Sequence, residues 1–568
     1  MLTTEIQRIV LLIALGVVGY LLLQAWTRDY GQASEEPPPL ASPLPIADDP
    51  VAGPSDDLPS SSAPGDVPGD DLAVPATRGI PEPTVTVADE RLVRVHTPTL
   101  DLAIDLLGGD IVELRLPKYP AVIDEDRPVQ LLERSRGHTY IAQSGLIGRD
   151  GRDRQDTRPL YSAGARDYTL DDGGGSLTVA LTHHAEGVTV VKRFLFEPDD
   201  YLVTVEYDID NAGTTEYRGQ LFAQLKRDST RPDASGTFMG PRPYVGAAFT
   251  TPESRYEKVD FEDLDDGQFR IAVAGGWAAV LQHYFLTAWV GAAEEVNAYY
   301  GRRLGDGNYA VGFIAPEIVV PPGRSETVAA RFYAGPKIQK RLEAIAPNLN
   351  LTVDYGFLWW LSVPLFYVLD AIHSVVLNWG IAIILLTLAV KILLFPLASV
   401  GFRSMAKMKQ VMPQMKRLQE RHAGDRQKLS QEMMALYRKE GANPFGGCLP
   451  LLLQMPVFFA LYWVLYESVE LRQAPFMLWI NDLAAPDPWF VLPILYGASF
   501  FLMQLLNPPP PDPMQARVMK TMPILFTVLF VFFPAGLVLY WLVNNILSLA
   551  QQWYITRKIE AASATKSS

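Results

Sequence analysis

The sequence predicts a multi-pass α-helical membrane protein with six spans, a large external antiparallel β-sandwich domain and a cytoplasmic helical hairpin. Of its 568 residues, 48% are hydrophobic and 20% charged, which is typical of neither a disordered chain nor an ordinary soluble enzyme. Long apolar runs lie near both ends of the chain, on either side of about 250 residues with β-strand texture. Charge is also uneven: residues 24–354 carry 31 Lys and Arg against 51 Asp and Glu, whereas residues 355–568 carry 17 against 11.

The composition excludes several classes of function. The acidic bulk argues against nucleic acid as a main partner, because phosphate binding needs clustered Lys and Arg. Cys448 is the only cysteine in the sequence, so neither an intramolecular disulfide nor a multi-cysteine metal site can form. The dipeptide Gly-Lys is absent from the sequence, and with it a phosphate-binding loop of the Walker type. We therefore expect no cofactor, no metal and no nucleotide-driven step.

Residues 1–28 predict an N-terminal membrane anchor. Ile9–Trp26 contains 18 residues without a charge, enough for roughly 27 Å of helix. Because this run is not followed by a small-x-small cleavage site, we expect the anchor to stay uncleaved. Residues 29–83 predict an acidic, proline-rich linker, since no basic residue occurs between Arg28 and Arg78 and such a stretch buries too little apolar surface to fold.

Residues 84–340 predict one large antiparallel β-sandwich outside the membrane. Short alternating runs such as Ser176–Leu181 follow Gly/Asp turns such as Asp171–Gly175, without an interleaved helical period. Five of the seven histidines lie here, but His183 and His184 are adjacent and would point to opposite faces of a strand. Because no catalytic or metal-ligand spacing is visible, we favour a binding or spacer domain over an enzyme.

Residues 341–568 predict a membrane core with an interfacial helix and five spans. Phe357–Leu377 is expected to lie in the membrane interface, because it is amphipathic and carries two tryptophans near its start. The spans are expected at about Ile381–Leu397, Leu449–Tyr466 and Phe490–Leu506, with two shorter spans between Met522 and Ile555 that are hinged at Pro534–Gly536.

Loop charges predict the orientation of these spans. Residues 401–447 contain ten Lys and Arg against four Asp and Glu, whereas residues 467–489 contain one basic residue, Arg472. Because excess positive charge stays on the cytoplasmic side, we expect the first loop inside and the second outside. Both termini are then cytoplasmic, and residues 29–355 are external.

Lys391 is the main functional candidate. A lysine at the centre of a membrane helix costs roughly 2.5–3.5 kcal/mol on insertion scales. Thr387 lies one helical turn before it, on the same face. The alternative is snorkelling, since Lys391 is only about six residues, or roughly 9 Å, from the cytoplasmic end of its predicted span.

Polar residues in the other spans favour a function for Lys391. They are Gln454 in the third predicted span, Ser499 and Gln504 in the fourth, and Tyr540, Trp541, Asn544, Asn545 and Ser548 in the last. Each one singly is explained by helix–helix contact, which contributes about 1 kcal/mol or less. Together with a lysine, and with no acid in the spans to neutralise it, they favour a hydrated cavity inside the bundle.

Residues 402–440 predict a cytoplasmic antiparallel helical hairpin with a methionine-rich seam. The seam residues fall near a heptad and are Met405, Met408, Met412, Met415 and Leu418, followed after a turn by Leu429, Met433 and Leu436. The simpler interpretation is hairpin core. The alternative is transient contact with hydrophobic clients, because methionine adapts to varied apolar partners.

At these residues the chain resembles the YidC family of bacterial membrane-protein insertases, which has mitochondrial and chloroplast relatives. The resemblance lies in residues 402–465, 470–483, 512–526 and 533–552, the last of which reads FPAGLVLYWLVNNILSLAQQ. These segments are long and collinear. The N-terminal anchor and the external β-domain resemble the Gram-negative form of the family.

The resemblance implies a periplasmic β-supersandwich that is largely dispensable for insertion. It also implies five core spans around a hydrophilic groove that opens to the cytoplasm and to lipid. The groove cation of the family, often arginine, falls on Lys391, its neighbouring threonine on Thr387, and a tyrosine pair on Tyr540 and Trp541. Lysine keeps the charge without the bidentate fork of arginine, and tryptophan keeps an aromatic surface without the phenolic oxygen.

The function implied by the resemblance is that of an insertase and membrane chaperone, not an enzyme. Its expected partners are nascent membrane proteins, the phospholipid bilayer, the Sec translocon and, through the basic cytoplasmic segments, the ribosome. The expected substrate groove comprises Lys391, Thr387, Gln454, Tyr540, Trp541, Asn544 and Ser548. Two alternatives remain open: a small-solute transporter, which would need internal repeats and paired charges, and a carbohydrate-binding or epimerising activity of the β-domain.

Overall fold

The computed structural model describes residues 90–567 except 124, 136, 155–156, 231–242, 423–424, 442–448 and 507–512. The predicted anchor (1–28) and linker (29–83) therefore lie outside the described residues, as does Cys448.

Residues 92–336 form a β-domain of two sheets. The strands are β1 (Leu92–His96), β2 (Asp101–Asp105), β3 (Asp110–Pro120), β4 (Pro128–Ser135), β5 (His138–Ile147), β6 (Ser162–Ala163), β7 (Asp167–Thr169), β8 (Leu177–Ala185), β9 (Val188–Phe196), β10 (Leu202–Asn211), β11 (Tyr217–Arg227), β12 (Gly246–Phe249), β13 (Glu257–Val259), β14 (Phe269–Ala274), β15 (Trp277–Leu281), β16 (Phe285–Val290), β17 (Val296–Arg303), β18 (Tyr309–Val320) and β19 (Arg324–Pro336).

The first sheet has ten strands in the order β14-β17-β18-β11-β5-β4-β3-β2-β1-β7, and the second has nine in the order β13-β12-β15-β16-β19-β10-β9-β8-β6. Neighbouring strands pair antiparallel, as in β10 with β19, except that β7 pairs parallel with β1 at the edge of the first sheet. The exception arises because the chain forms β6 in the second sheet before it returns to the first. The predicted antiparallel sandwich is confirmed, with one parallel edge.

The two sheets share one hydrophobic core. On β10, Val203, Val205 and Tyr207 are fully buried and alternate with partly exposed residues, as expected for a strand with one face against a second layer. Polar contacts also cross between the sheets: Trp289 Nε1 on β16 donates to the carbonyl oxygen of Gln224 on β11 at 3.1 Å. The domain is therefore a packed sandwich.

Helices make up most of the remaining described chain. They are α1 (Phe261–Asp266), α2 (Gln339–Ile345), α3 (Trp359–Val376), α4 (Trp379–Arg421), α5 (Arg426–Glu440), α6 (Leu449–Glu467), α7 (Val491–Leu506), α8 (Pro513–Phe530) and α9 (Ala535–Ser567). The break between α8 and α9 falls at the predicted hinge around Pro534. By length and composition, Gly356–Val376 and Trp379–Arg421 could each cross a membrane, and Val491–Leu506 is a shorter apolar helix.

Helix α4 joins two elements that the sequence predicts separately, a membrane span and an arm of the cytoplasmic hairpin. It runs for 43 residues and includes both the predicted span at Ile381–Leu397 and the first arm of the hairpin. Pro396 and Pro413 lie inside it without ending it. The N-cap is Asn378, whose side chain accepts a hydrogen bond from the backbone N–H of Ile381 at 3.0 Å.

The β-domain contacts the last turn of α6 and the segment that follows it. Arg472 Nη2 donates to the carbonyl oxygen of Pro120 at 2.7 Å, and Gln473 Nε2 donates to the same oxygen at 3.0 Å. His283 Nε2 lies 3.0 Å from the carbonyl oxygen of Tyr466. These side-chain contacts attach the sandwich to the helical core.

Candidate functional site

Lys391 lies at the contact between α4 and α9. Its Nζ donates to Ser548 Oγ at 2.7 Å, and Ser548 Oγ donates in turn to the carbonyl oxygen of Asn544 at 2.7 Å. The side chain of Lys391 is half-buried. Among the residues that the structure describes, no carboxylate lies within 4.0 Å of its ammonium. An ammonium has three N–H donors, so this cation retains capacity to bind an anion.

Thr387 is on the predicted face but does not join this network. Its Oγ1 donates to the carbonyl oxygen of Ile383 at 2.6 Å, and the side chain is buried. Back-bonding of this kind satisfies the hydroxyl within its own helix. Thr387 therefore contributes packing next to Lys391, and its hydroxyl is not directed to the cation.

Gln454 and Tyr540 form a second polar contact, between α6 and α9. Gln454 Nε2 donates to the phenolic oxygen of Tyr540, and both side chains are buried. The predicted polar residues of these two helices are thus brought together directly.

Trp541 lies in an aromatic cluster beside Tyr540. Its ring centroid is 4.8 Å from that of Phe458, 6.0 Å from Phe530 and 6.1 Å from Tyr496. Its indole Nε1 is buried and has no hydrogen-bond partner among the described residues, and the same holds for Asn544 Oδ1 one turn further along α9. Residues 541–544 of α9 therefore present one unused hydrogen-bond donor and one unused acceptor.

A second polar row joins α7 to its neighbours. Asn545 Nδ2 donates to Ser499 Oγ at 3.2 Å, and Ser499 Oγ donates to the carbonyl oxygen of Tyr496 at 2.7 Å. Gln504 Nε2 donates to the carbonyl oxygen of Met519 on α8. These contacts fit the simpler interpretation of polar residues that join helices.

Tyr540, Asn544 and Ser548 recur every four residues and form a polar stripe along α9, which extends one turn further than the predicted groove residues. Gln552 is buried and continues the spacing of Tyr540, Asn544 and Ser548 by one more turn. Beside it, Gln551 Nε2 donates to the carbonyl oxygen of Phe395 at 3.4 Å. The four-residue periodicity was the signal that could have identified Gln552.

The hairpin methionines do not form one seam. Met408 packs with the buried Met415 against α5, and Tyr437 donates its hydroxyl to Met415 Sδ at 3.5 Å. Met405 instead packs on the cluster of Phe402 and Ile555, because the continuous α4 carries this residue alongside α9. Met412 is half-buried outside both clusters. The predicted single seam from Met405 to Met415 is therefore wrong for Met405 and for Met412.

The fold and the site define a class of protein: a helical membrane protein with an external β-sandwich and a polar interior that contains a cation. A family model described as the YidC periplasmic domain matches residues 92–368, and one described as 60Kd inner membrane protein matches residues 371–562. The chain belongs to the YidC family of membrane protein insertases, which are inner-membrane proteins with a periplasmic domain.

Relatives match along nearly the whole chain. The membrane protein insertase YidC of Stutzerimonas stutzeri is 50% identical over 562 residues, which cover 98% of this chain and 99% of the relative. That of Pseudomonas entomophila is also 50% identical, over 559 residues and the same shares of both chains. A crystal structure of an active YidC insertase with its first transmembrane domain resolved is 18% identical, with a TM-score of 0.37, and covers 82% of this chain and 92% of that chain.

Proposed function

We propose that this protein inserts newly made membrane proteins into the inner membrane and acts as a chaperone while their spans fold. The observation that carries the proposal is the Lys391 ammonium, which lies between apolar helices with Ser548 as its hydrogen-bond partner and no described carboxylate nearby. A cation without a counter-ion attracts an acidic segment, and the attraction is stronger where the surroundings exclude water.

The mechanism follows from the cost of moving polar groups through hydrocarbon. Each unsatisfied backbone group in a crossing tail costs several kcal/mol. A hydrated groove at Lys391 and along the stripe from Tyr540 to Ser548 shortens the dry distance and attracts an acidic tail. The apolar span of the client then partitions sideways into lipid, where each central Leu or Phe contributes about 0.3–0.6 kcal/mol. The membrane potential adds about 2.3 kcal/mol per 100 mV for each acidic residue that moves outward, so no nucleotide is needed.

The proposed topology has six spans, with both termini in the cytoplasm and residues 29–355 in the periplasm. The first span is Ile9–Trp26, and the other five lie in α4, α6, α7, α8 and α9. Helix α3 lies in the membrane interface, which fits the exposed fractions of 62% for Trp359 and 55% for Trp360. The basic hairpin of α4 and α5 is cytoplasmic.

The proposed partners follow from these surfaces. The Sec translocon is a proposed partner in insertion, and the basic residues of the hairpin are proposed to face the ribosome. Client contact by hairpin methionines falls on Met412 and Met434, because Met405, Met408 and Met415 are engaged inside the protein and Met434 is 49% exposed.

The test is insertion of a small membrane protein with an acidic tail into sealed liposomes that contain this protein and no other. We expect wild type to insert it, Lys391→Ala to reduce the initial rate about tenfold, and Lys391→Arg to retain most of the rate, since arginine keeps the charge. Ser548→Ala removes one polar group of the proposed groove and leaves the ammonium, so it separates the contribution of the charge from that of its hydrogen-bond partner. Absence of insertion by folded wild type would contradict autonomous insertion. Equal rates for wild type and Lys391→Ala would contradict the role of the charge and leave hydration of the groove as the mechanism.

A further inference from the structure

A small cavity lies at the C-terminal end of α7, beside the second halves of α4 and α9 and away from Lys391. Its lining comes from α4, α7 and α9 and includes Met405, Lys409, Leu506, Trp553, Thr556 and Arg557. Two of these residues are cationic, no carboxylate is among them, and the rest supply both apolar surface and hydrogen-bonding groups.

The level of the cavity relative to the membrane follows from the positions of the charged residues on the three helices. Helix α7 has no charged residue, and on α9 Arg557 is the first charged residue after the helix begins at Ala535. On α4, the first charge after Lys391 is Arg403. The cavity therefore lies where the uncharged stretches of all three helices end. In the proposed membrane placement this is the headgroup level of the cytoplasmic leaflet.

The two cations are available to an anion. The guanidinium carbon of Arg557 lies 4.4 Å from the centroid of the Trp553 ring, a cation–π contact that holds the guanidinium and leaves its N–H donors for a ligand. Both Lys409 and Arg557 are exposed, and within the described ranges neither has a carboxylate within 4.0 Å. A phosphate group matches this arrangement, because it accepts hydrogen bonds from both a guanidinium and an ammonium.

Apolar surface continues from the cavity along α7. Leu502 is 54% exposed and Leu505 is 66% exposed, and both precede the lining residue Leu506. Trp553 is 53% exposed on the other side, and tryptophan favours the membrane–water interface. A ligand with a phosphate and an adjoining hydrocarbon chain would contact both surfaces, whereas inorganic phosphate would contact only the cations.

We infer that this cavity binds the phosphate headgroup of an anionic glycerophospholipid of the cytoplasmic leaflet, with Lys409 and Arg557 on the phosphate and Leu505 and Leu506 against an acyl chain. The inference rests on the proposed membrane placement and not on client insertion. A failure of lipid binding with intact insertion, or the converse, therefore separates the two.

The test uses the full chain in nanodiscs that contain equal amounts of phosphatidylglycerol and phosphatidylcholine. After mild detergent extraction, the lipids that remain bound are quantified by mass spectrometry. We expect phosphatidylglycerol to be retained in preference to phosphatidylcholine, and the double variant Lys409→Gln/Arg557→Gln to lose between about fivefold and about 25-fold of that preference, since each basic group near an anionic surface contributes about fivefold.

The matched control is Lys407→Gln/Lys558→Gln, which removes the same net charge from exposed neighbours that do not line the cavity. Retention of the preference in this control supports the site, and an equal loss in both double variants overturns it in favour of general surface attraction. Lys409→Gln alone, with an expected loss of about fivefold, serves if the double variant is unstable. Displacement of the lipid by excess inorganic phosphate would assign the cavity to free phosphate and overturn the lipid proposal.

Discussion

Two lysines of the described chain, Lys192 in the β-domain and Lys391 in the helical core, have surroundings that differ sharply. In the β-domain, the ammonium of Lys192 donates to the carbonyl oxygens of Gly108, Gly109 and Ser144 at 3.1, 2.7 and 3.0 Å. In the helical core, Lys391 has a single described hydrogen bond, to Ser548 at 2.7 Å. All three donors of Lys192 are used, which indicates a structural role, whereas Lys391 has unused donors, as its proposed role in binding requires.

The charged neighbours of Lys192 add to this contrast. Near Lys192, Arg158 bonds to Asp110 at 2.8 Å and to Asp153 at 2.5 Å, and the two carboxylates attract the ammonium. Burial nevertheless lowers the pKa of Lys192 to about 7, because desolvation outweighs that attraction. A buried charge is tolerated in the sandwich only with this complete set of partners. The two lysines therefore differ in how completely their donors are used, and this difference is what supports the proposed role of Lys391.

Substitution of the satisfied lysine should have the largest effect on stability. We expect Lys192→Met to reduce the free energy of unfolding of the β-domain by about 3 kcal/mol, because it leaves three buried carbonyl oxygens and two carboxylates with fewer partners. Lys391→Met should change the unfolding of the full chain by less than about 1 kcal/mol. Denaturant unfolding of both variants in the same detergent measures the difference. Equal losses of unfolding free energy would contradict the contrast between the two lysines.

The stability of the junction between the β-domain and the helical core should depend on pH through the titration of His283. Burial lowers the pKa of His283 to about 3, helped by Lys337 and Arg472 and opposed by the carbonyl of Tyr466. The folded state therefore binds fewer protons than the unfolded state between pH 6.5 and 3, and stability is lost as the pH falls through this window. Between pH 7 and 5 the loss should be about 2 kcal/mol.

The measurement is the unfolding free energy of the full chain at both pH values, for wild type and for His283→Gln. Glutamine retains a donor toward Tyr466 but does not titrate. The difference between the two proteins isolates His283 from the other titrating groups, and an identical pH dependence in both would contradict the assignment.

The unsatisfied lysine should act only on charged clients. We expect Lys391→Ala to slow insertion about tenfold, or about 1.4 kcal/mol, for a client with an acidic tail, and hardly at all when the Asp residues of that tail are replaced by Asn. The rate ratio in a double-mutant cycle checks this coupling. A tenfold effect on both clients would mean that Lys391 supports the structure of the core, as Lys192 does in the sandwich.

The smallest effect is expected at the satisfied polar pair of the core. Tyr540→Phe leaves the Gln454 amide without its partner and should cost about 1 kcal/mol in thermal unfolding of the core. Tyr554→Phe is the matched control on the same helix, because Tyr554 is 55% exposed and its loss should be within experimental error. A larger effect at Tyr554 would reverse the assignment of buried and exposed positions on α9.

Much of this architecture follows from local pattern. The alternation of buried residues along β10 predicts a strand of a sandwich, and the helix break at Pro534 follows from the shape of the apolar run. The sequence assigns Lys391 and Ser548 to one polar group, but it does not predict the direct hydrogen bond between them. Other features depended on neighbours distant in sequence. Met405 packs beside Ile555, and the Arg472 guanidinium binds the carbonyl of Pro120.

The β-domain, the apolar helices and the polar positions within them can be predicted from the sequence alone. The reason is that periodicity, charge and turn residues act over one or two helical turns or a single hairpin. Which of those polar groups already have hydrogen-bond partners depends on the packing of the helices in the tertiary structure. The Thr387 hydroxyl binds its own helix, and Gln454 pairs with Tyr540, whereas Lys391 has one partner for three donors. Hydrogen bonds are directional and short, so their completeness depends on ångström distances between helices that no sequence spacing specifies.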